Sequence, residues 1–103
     1  MQAPRAPETV RRYFVEVTPP AYGFDDIQAL AKRARAASER LARLGSRVRL
    51  LRSVFVPDTR TCFLLYEADS AAVVSEAAAE AELEPARVVE TLQPARRSEP
   101  RVA

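Results

Sequence analysis

The chain has 103 residues, 48% of them hydrophobic, and a formal net charge of +2. That length fits one domain, and that hydrophobic content is typical of a globular protein rather than a disordered one. The small positive charge does not favour a nucleic-acid partner. The sequence contains no histidine, which excludes Ser-His-Asp and Cys-His catalysis and every imidazole metal site.

The single cysteine, Cys62, lies in a predicted strand, and one cysteine cannot form a disulfide within one chain. A reactive thiolate needs a neighbouring base, so without histidine we expect Cys62 to be a small buried apolar residue. No apolar run approaches membrane-spanning length, and MQAPRAPETV has no signal-peptide core. We therefore expect a cytoplasmic protein with no membrane partner.

The chain divides into a folded centre and two tails. Residues 1–10 contain two prolines and show no periodicity, and residues 94–103 are similar. Both are predicted to be flexible tails around a folded domain at residues 11–93. The elements predicted within that domain, in chain order, are a strand at YFVEVT (13–18), a helix at FDDIQALAKRARAASERLARLG (24–45), strands at RVRLLRSVFV (47–56) and TCFLLYE (61–67), a helix within ADSAAVVSEAAAEAEL (68–83), and a strand at ARVVETL (86–92).

Local signals mark the helix ends. Asp25 can cap the first helix, and Gly45 follows its end. Asp69 or Ser70 can cap the second helix, and Pro85 is expected to end it.

The order β-α-β-β-α-β predicts a ferredoxin-like α+β fold. Both helices should cover one face of a four-stranded antiparallel sheet, with the first and third strands at its centre. The other face of the sheet is left open to water, a partner or a ligand.

Strand alternation assigns side chains to the two faces of the sheet. An unpaired buried charge costs several kcal/mol, so charged residues should avoid the helix side. This places two glutamates, Glu16 and Glu67, in the open-face cleft. The same reasoning predicts that the open face also holds Phe14, Phe63, Leu65, Leu50, Arg52, Val54, Val88, Glu90 and Leu92, and leaves Leu51 and Phe55 on the helix side.

An apolar face of this kind should be covered, and the expected cover is a second copy of the same sheet. The predicted homodimer would form a barrel-like α+β assembly. The carboxylates would then line an interior cleft, where they pair with Arg52 or a partner's arginines, or bind a ligand. Arg47 and Arg49 are out of register with Arg52 by simple alternation, so these arginines do not form one anion site.

Three stretches resemble a small bacterial family of unknown function, some of whose members are described as nickel-binding proteins of ferredoxin-like fold. They are YFVEVT (13–18), RSVFVPDTRTCFLLYEADS (52–70) and EPARVVETL (84–92). The resemblance covers about residues 12–92 and implies a dimer of ferredoxin-like units, without implying an enzyme. It also implies nickel, which prefers nitrogen-rich sites, whereas this sequence has no histidine. The cleft positions that match the family's strand motifs are Glu16 and Glu67.

The sequence is compatible with several functions. The first is a binding protein whose cleft holds a small molecule or a divalent cation, with Glu16 and Glu67 as the candidate metal ligands; oxygen-only sites suit Mg, Ca or Mn. The second is a cofactor-free monooxygenase or isomerase, in which a glutamate acts as general base beside Tyr13 or Tyr66. RNA binding through Phe14 and Phe63 is disfavoured because the glutamates would repel phosphate. A purely structural or regulatory module is the remaining alternative.

Overall fold

The computed structural model describes residues 11–91. Its strands are β1 (Arg11–Val17), β2 (Val48–Val56), β3 (Thr61–Ala68) and β4 (Arg87–Glu90), and its helices are α1 (Phe24–Arg43) and α2 (Ala71–Glu80). The antiparallel sheet has the order β2-β3-β1-β4, which confirms the predicted ferredoxin-like fold with β1 and β3 at the centre. The two tails and Leu92, which we expected on the open face, lie outside the described residues. No helix within residues 11–91 is long and apolar enough to cross a membrane.

The start of α1 differs from the prediction, and the start of α2 agrees with it. The cap of α1 is Gly23 rather than Asp25, and the carboxylate of Asp26 accepts a hydrogen bond from the Gly23 N–H at 3.0 Å. Asp26 thereby satisfies a backbone donor that the helix leaves free. Ser70 caps α2, because its hydroxyl accepts from the Val73 N–H at 3.3 Å.

Both helices end in the same hydrogen-bonded turn, in which a residue with positive φ follows the last turn. In α1 that residue is Gly45, as predicted, with φ +107°. In α2 it is Glu82, with φ 62°, and the Leu83 N–H donates to the Ala78 carbonyl at 2.9 Å. The second helix therefore ends before Pro85, which we had expected to end it.

The core lies between the helices and one face of the sheet. Small residues on α2, such as Ala77 and Ala78, are fully buried and allow that helix to approach the strands closely. The alternate residues of the central strands that point toward the helices are at most 3% exposed: Tyr13, Val15, Val17, Cys62, Leu64 and Tyr66. This confirms that Cys62 is a buried apolar residue.

The middle of β2 contains a β-bulge that reverses the predicted faces of its first half. Leu50 lies opposite Tyr66, and Arg52 lies opposite Leu65, so Leu51 is one extra residue between them. The prediction that Leu50 lies on the open face is therefore wrong, because Leu50 is buried on the helix side at 2% exposure. Leu51 is the bulged residue rather than a regular helix-side position.

Candidate binding face

The face of the sheet without helices carries a grid of apolar and charged side chains. Residues directly opposite in an antiparallel sheet point to the same side, so the cross-strand register defines the grid. We call it the open face; its described members are Arg12, Phe14, Glu16, Arg49, Arg52, Val54, Val56, Thr61, Phe63, Leu65, Glu67, Arg87 and Val89. The face predicted for Phe14, Glu16, Arg52, Phe63 and Glu67 agrees with this register.

The faces predicted for β4 are wrong. Glu90 lies opposite Tyr13, and Val88 lies opposite Val15, which places both on the helix side. Glu90 is tolerated there because β4 is an edge strand: its side chain is 44% exposed and forms an ion pair with Arg11 at 3.7 Å. The residues of β4 that do reach the open face are Arg87 and Val89, opposite Glu16 and Phe14.

An apolar groove occupies one half of the open face. Phe14 and Phe63 meet edge to face, with ring centroids 6.3 Å apart and planes at 80°. Val54 and Val89 line the groove on either side of these rings, and Phe14, Val54 and Val89 are each 40–44% exposed. The groove has a volume of about 390 Å³, which is within the range of small-molecule sites.

Glu16 lines the groove but is already paired within the chain. Its carboxylate is 3.3 Å from the guanidinium of Arg87, its neighbour across the strands. The sequence prediction named Arg52 or an arginine of a second copy as the partner, because simple alternation could not reveal the register of β4. Arg52 forms no ion pair with any residue in the range 11–91.

Glu67 lies in the other half of the open face, between two arginines. Its carboxylate is 3.6 Å from Arg12 and 3.2 Å from Arg49, which are its register neighbours on either side. Simple alternation along β2 predicts that Arg49 and Arg52 lie on opposite faces of the sheet. The bulge at Leu51 instead brings Arg49 and Arg52 to the same face, which corrects that prediction.

The arginines outnumber the glutamates on the open face. Four arginines face two glutamates in the described grid, so the face carries an excess of two positive charges. Arginine side chains also present planar donors that match carboxylates. The face that was predicted to be a carboxylate cleft is therefore electropositive.

The donors present do not fit a nickel site. Nickel favours nitrogen ligands, and the chain has no histidine. Glu16 and Glu67 are four register positions apart along adjacent strands, about 13 Å at the usual rise of a strand. Each is already paired with arginine. Within residues 11–91, no three cysteine or carboxylate side chains form a group that could hold a metal ion.

The groups needed for the enzyme alternative are not assembled in the described part of the chain. Tyr13 and Tyr66 lie opposite each other on the helix side of the sheet, away from both open-face glutamates. The Tyr66 hydroxyl is buried and has no hydrogen-bond partner within residues 11–91. Glu16, the glutamate beside the groove, is already paired with Arg87.

Comparison with known proteins identifies the family. The family model of the nickel responsive protein SCO4226-like family matches residues 13–91. The chain belongs to this family. The crystal structure of SCO4226 from Streptomyces coelicolor A3(2) superposes with a TM-score of 0.68 at 15% identity, over 82% of this chain and 99% of that one, a likeness that shows the shared fold. No curated protein matches the chain.

Proposed function

We propose that this chain is a small-ligand-binding protein that works as a homodimer through its open face, with the ligand held in the groove. The observation that carries this proposal is the apolar groove itself, formed by Phe14, Val54, Phe63 and Val89 on a sheet face without helices. Monomeric proteins rarely leave such contiguous apolar surface uncovered. A second copy would cover the two faces at once and convert the open grooves into an enclosed site.

The size of the chain supports the homodimer. A domain of about 100 residues buries roughly 65% of its unfolded surface and has a limited core. Here the core occupies one side of the sheet, while Phe14 and Val54 on the other side remain about 40% exposed. Burying that second apolar surface against a partner would add stability that the single chain lacks.

A titration with 1-octanol, followed by NMR of the isotope-labelled full chain, tests the groove as a ligand site. We expect shift changes concentrated at Phe14, Phe63 and Val89. The variant Val54→Trp fills the groove and should abolish these changes. The control Leu44→Trp places the same side chain at a position that is 76% exposed at the end of α1, and should leave them intact. Shift changes spread over the whole surface, or unaltered by Val54→Trp, would contradict the proposal.

A metal-cation version of this function rests on the family's nickel-responsive name. The donor set argues against it at Glu16 and Glu67, since each carboxylate already pairs with arginine. We expect calorimetric titration of the chelator-treated protein with nickel chloride to give the same heat in the wild type and in a Glu16→Gln, Glu67→Gln double variant. Saturable heat that disappears in the double variant would restore a metal site at these carboxylates.

A further inference from the structure

Resting on the proposed function, we infer that the ligand of the groove is a small apolar anion, a carboxylic acid with a hydrocarbon or aromatic body, recognised by Arg52 and Arg87. The groove supplies the apolar contact surface. Arg87 on β4 lines it, and Arg52 lies two residues before Val54 on the opposite edge strand β2. This assignment goes against the carboxylate-rich, cation-binding cleft that the sequence predicted.

The position of Arg52 is the first argument. Arg52 precedes Val54 by two residues on the same strand and the same face, so its Cα lies about 7 Å from a residue that lines the groove. The side chain is long enough to reach across that distance. Arg52 is exposed and has no ion-pair partner within residues 11–91, so its guanidinium is available to an anion.

Arg87 supplies the second argument, because it lines the groove from the opposite edge strand. Its side chain is 69% exposed and is held 3.3 Å from the Glu16 carboxylate. An exposed pair of this kind is weak and exchanges readily with a competing carboxylate. A ligand carboxylate would therefore compete with Glu16 for the Arg87 guanidinium.

The charge balance of the dimer gives the third argument. Each open face carries four arginines and two glutamates, so pairing two faces brings like charges together. An anion in each groove would offset part of that excess. Ligand binding and dimer formation should therefore strengthen each other, as mass action requires for a ligand that prefers the assembled state.

Three probes with the same chain length separate the possibilities: octanoate, 1-octanol and octylammonium, each titrated into the full chain at low ionic strength and followed by NMR. We expect octanoate to bind about tenfold more tightly than 1-octanol, a ratio typical of charge-assisted hydrogen bonds to arginine. The variant Arg52→Gln, Arg87→Gln should remove this preference, so that octanoate no longer binds more tightly than 1-octanol. Arg43→Gln, in the last turn of α1, is the matched control and should keep the preference.

The variant Glu16→Gln gives the sharpest result. Because Glu16 competes for Arg87, its neutralisation should raise octanoate affinity about threefold. If the site instead prefers cations, octylammonium will bind most tightly and Glu16→Gln will weaken it, which overturns the anion assignment while the groove remains a ligand site. Equal affinity for all three probes also overturns the assignment. If none of the probes shifts the groove residues, the proposed function itself fails.

Discussion

The two faces of β3 use alternate residues of the same strand for different purposes. On the helix side, Cys62, Leu64 and Tyr66 are completely buried. On the open face, Phe63 and Leu65 are half-buried, and Glu67 sits between two arginines. One face therefore builds the core within a single chain. The other combines apolar surface with charge, a combination suited to a second chain or a ligand rather than to a closed core.

The largest expected difference between the faces is in packing. Leu64→Ala should destabilise the protein by about 3 kcal/mol, because it leaves a cavity in the core. Leu65→Ala should lower the free energy of unfolding by about 1 kcal/mol at low protein concentration, since Leu65 is already partly exposed. Urea unfolding at two protein concentrations measures both. If the open face is a dimer interface, the cost of Leu65→Ala will rise with concentration and that of Leu64→Ala will not. Equal costs for the two variants would remove the distinction between the faces.

Tyr66, on the helix side of the sheet, makes the stability of the protein depend on alkaline pH. Burial, with a smaller contribution from Cys62, raises the pKa of Tyr66 to about 12. An unfolded tyrosine titrates near pH 10, so the folded protein retains a proton that the unfolded chain loses. This contribution to the free energy of unfolding is fully present below about pH 10. It is lost as the pH rises to about 12, which lowers the free energy of unfolding by about 2 kcal/mol.

The variant Tyr66→Phe tests that pH dependence. It removes the titrating hydroxyl, a buried donor that has no partner in the described part of the chain, so at pH 7 the variant should be at least as stable as the wild type. Between about pH 9 and pH 12, the wild type should lose about 2 kcal/mol more stability than the variant. Urea unfolding at both pH values provides the measurement. Parallel losses in the two proteins would show that the Tyr66 hydroxyl is hydrated or hydrogen-bonded.

The smallest effect is expected from the ion pairs of the open face. Glu67→Gln removes a carboxylate that contacts two arginines and should cost about 0.5–1 kcal/mol at low salt. Most of that cost should disappear in about 1 M NaCl, because salt screens partly exposed charges. Glu76→Gln on α2 is the matched control, with no ion pair to Glu76 within residues 11–91. A salt-independent loss in Glu67→Gln would indicate a packing role.

The sequence was sufficient to predict the central strands but not the register of the outer ones. In β1, alternation around Glu16 assigns every face correctly. Glu16 carries a charge and lies between Val15 and Val17, so the two valines must face the helices and Glu16 must face away from them. In β2, no glycine or proline marks the bulge in RLLRS, so the side of Leu50 was predicted wrongly. In β4, the assumption that charges avoid the helix side fails for Glu90, since an edge strand lets it reach solvent.

The partners of the glutamates depend on the same missing information. Arg87 meets Glu16 because the register between β4 and β1 places these two residues directly opposite each other. Arg49 reaches Glu67 because the bulge at Leu51 turns Arg49 to the open face. Local alternation contains neither fact, because register is fixed by packing between strands. The sequence could therefore indicate which face is open, but not that it is electropositive.

Sedimentation equilibrium of the full chain over a range of concentrations tests the central claim most directly. Val54→Arg adds a charge to the open face, and Leu44→Arg adds the same charge at the end of α1. If the open face is the dimer interface, the wild type and Leu44→Arg will approach twice the chain mass as concentration rises, while Val54→Arg will stay at the mass of one chain. A wild type that remains monomeric at every concentration, or a Val54→Arg variant that dimerises equally well, would contradict the assignment of the open face as the interface.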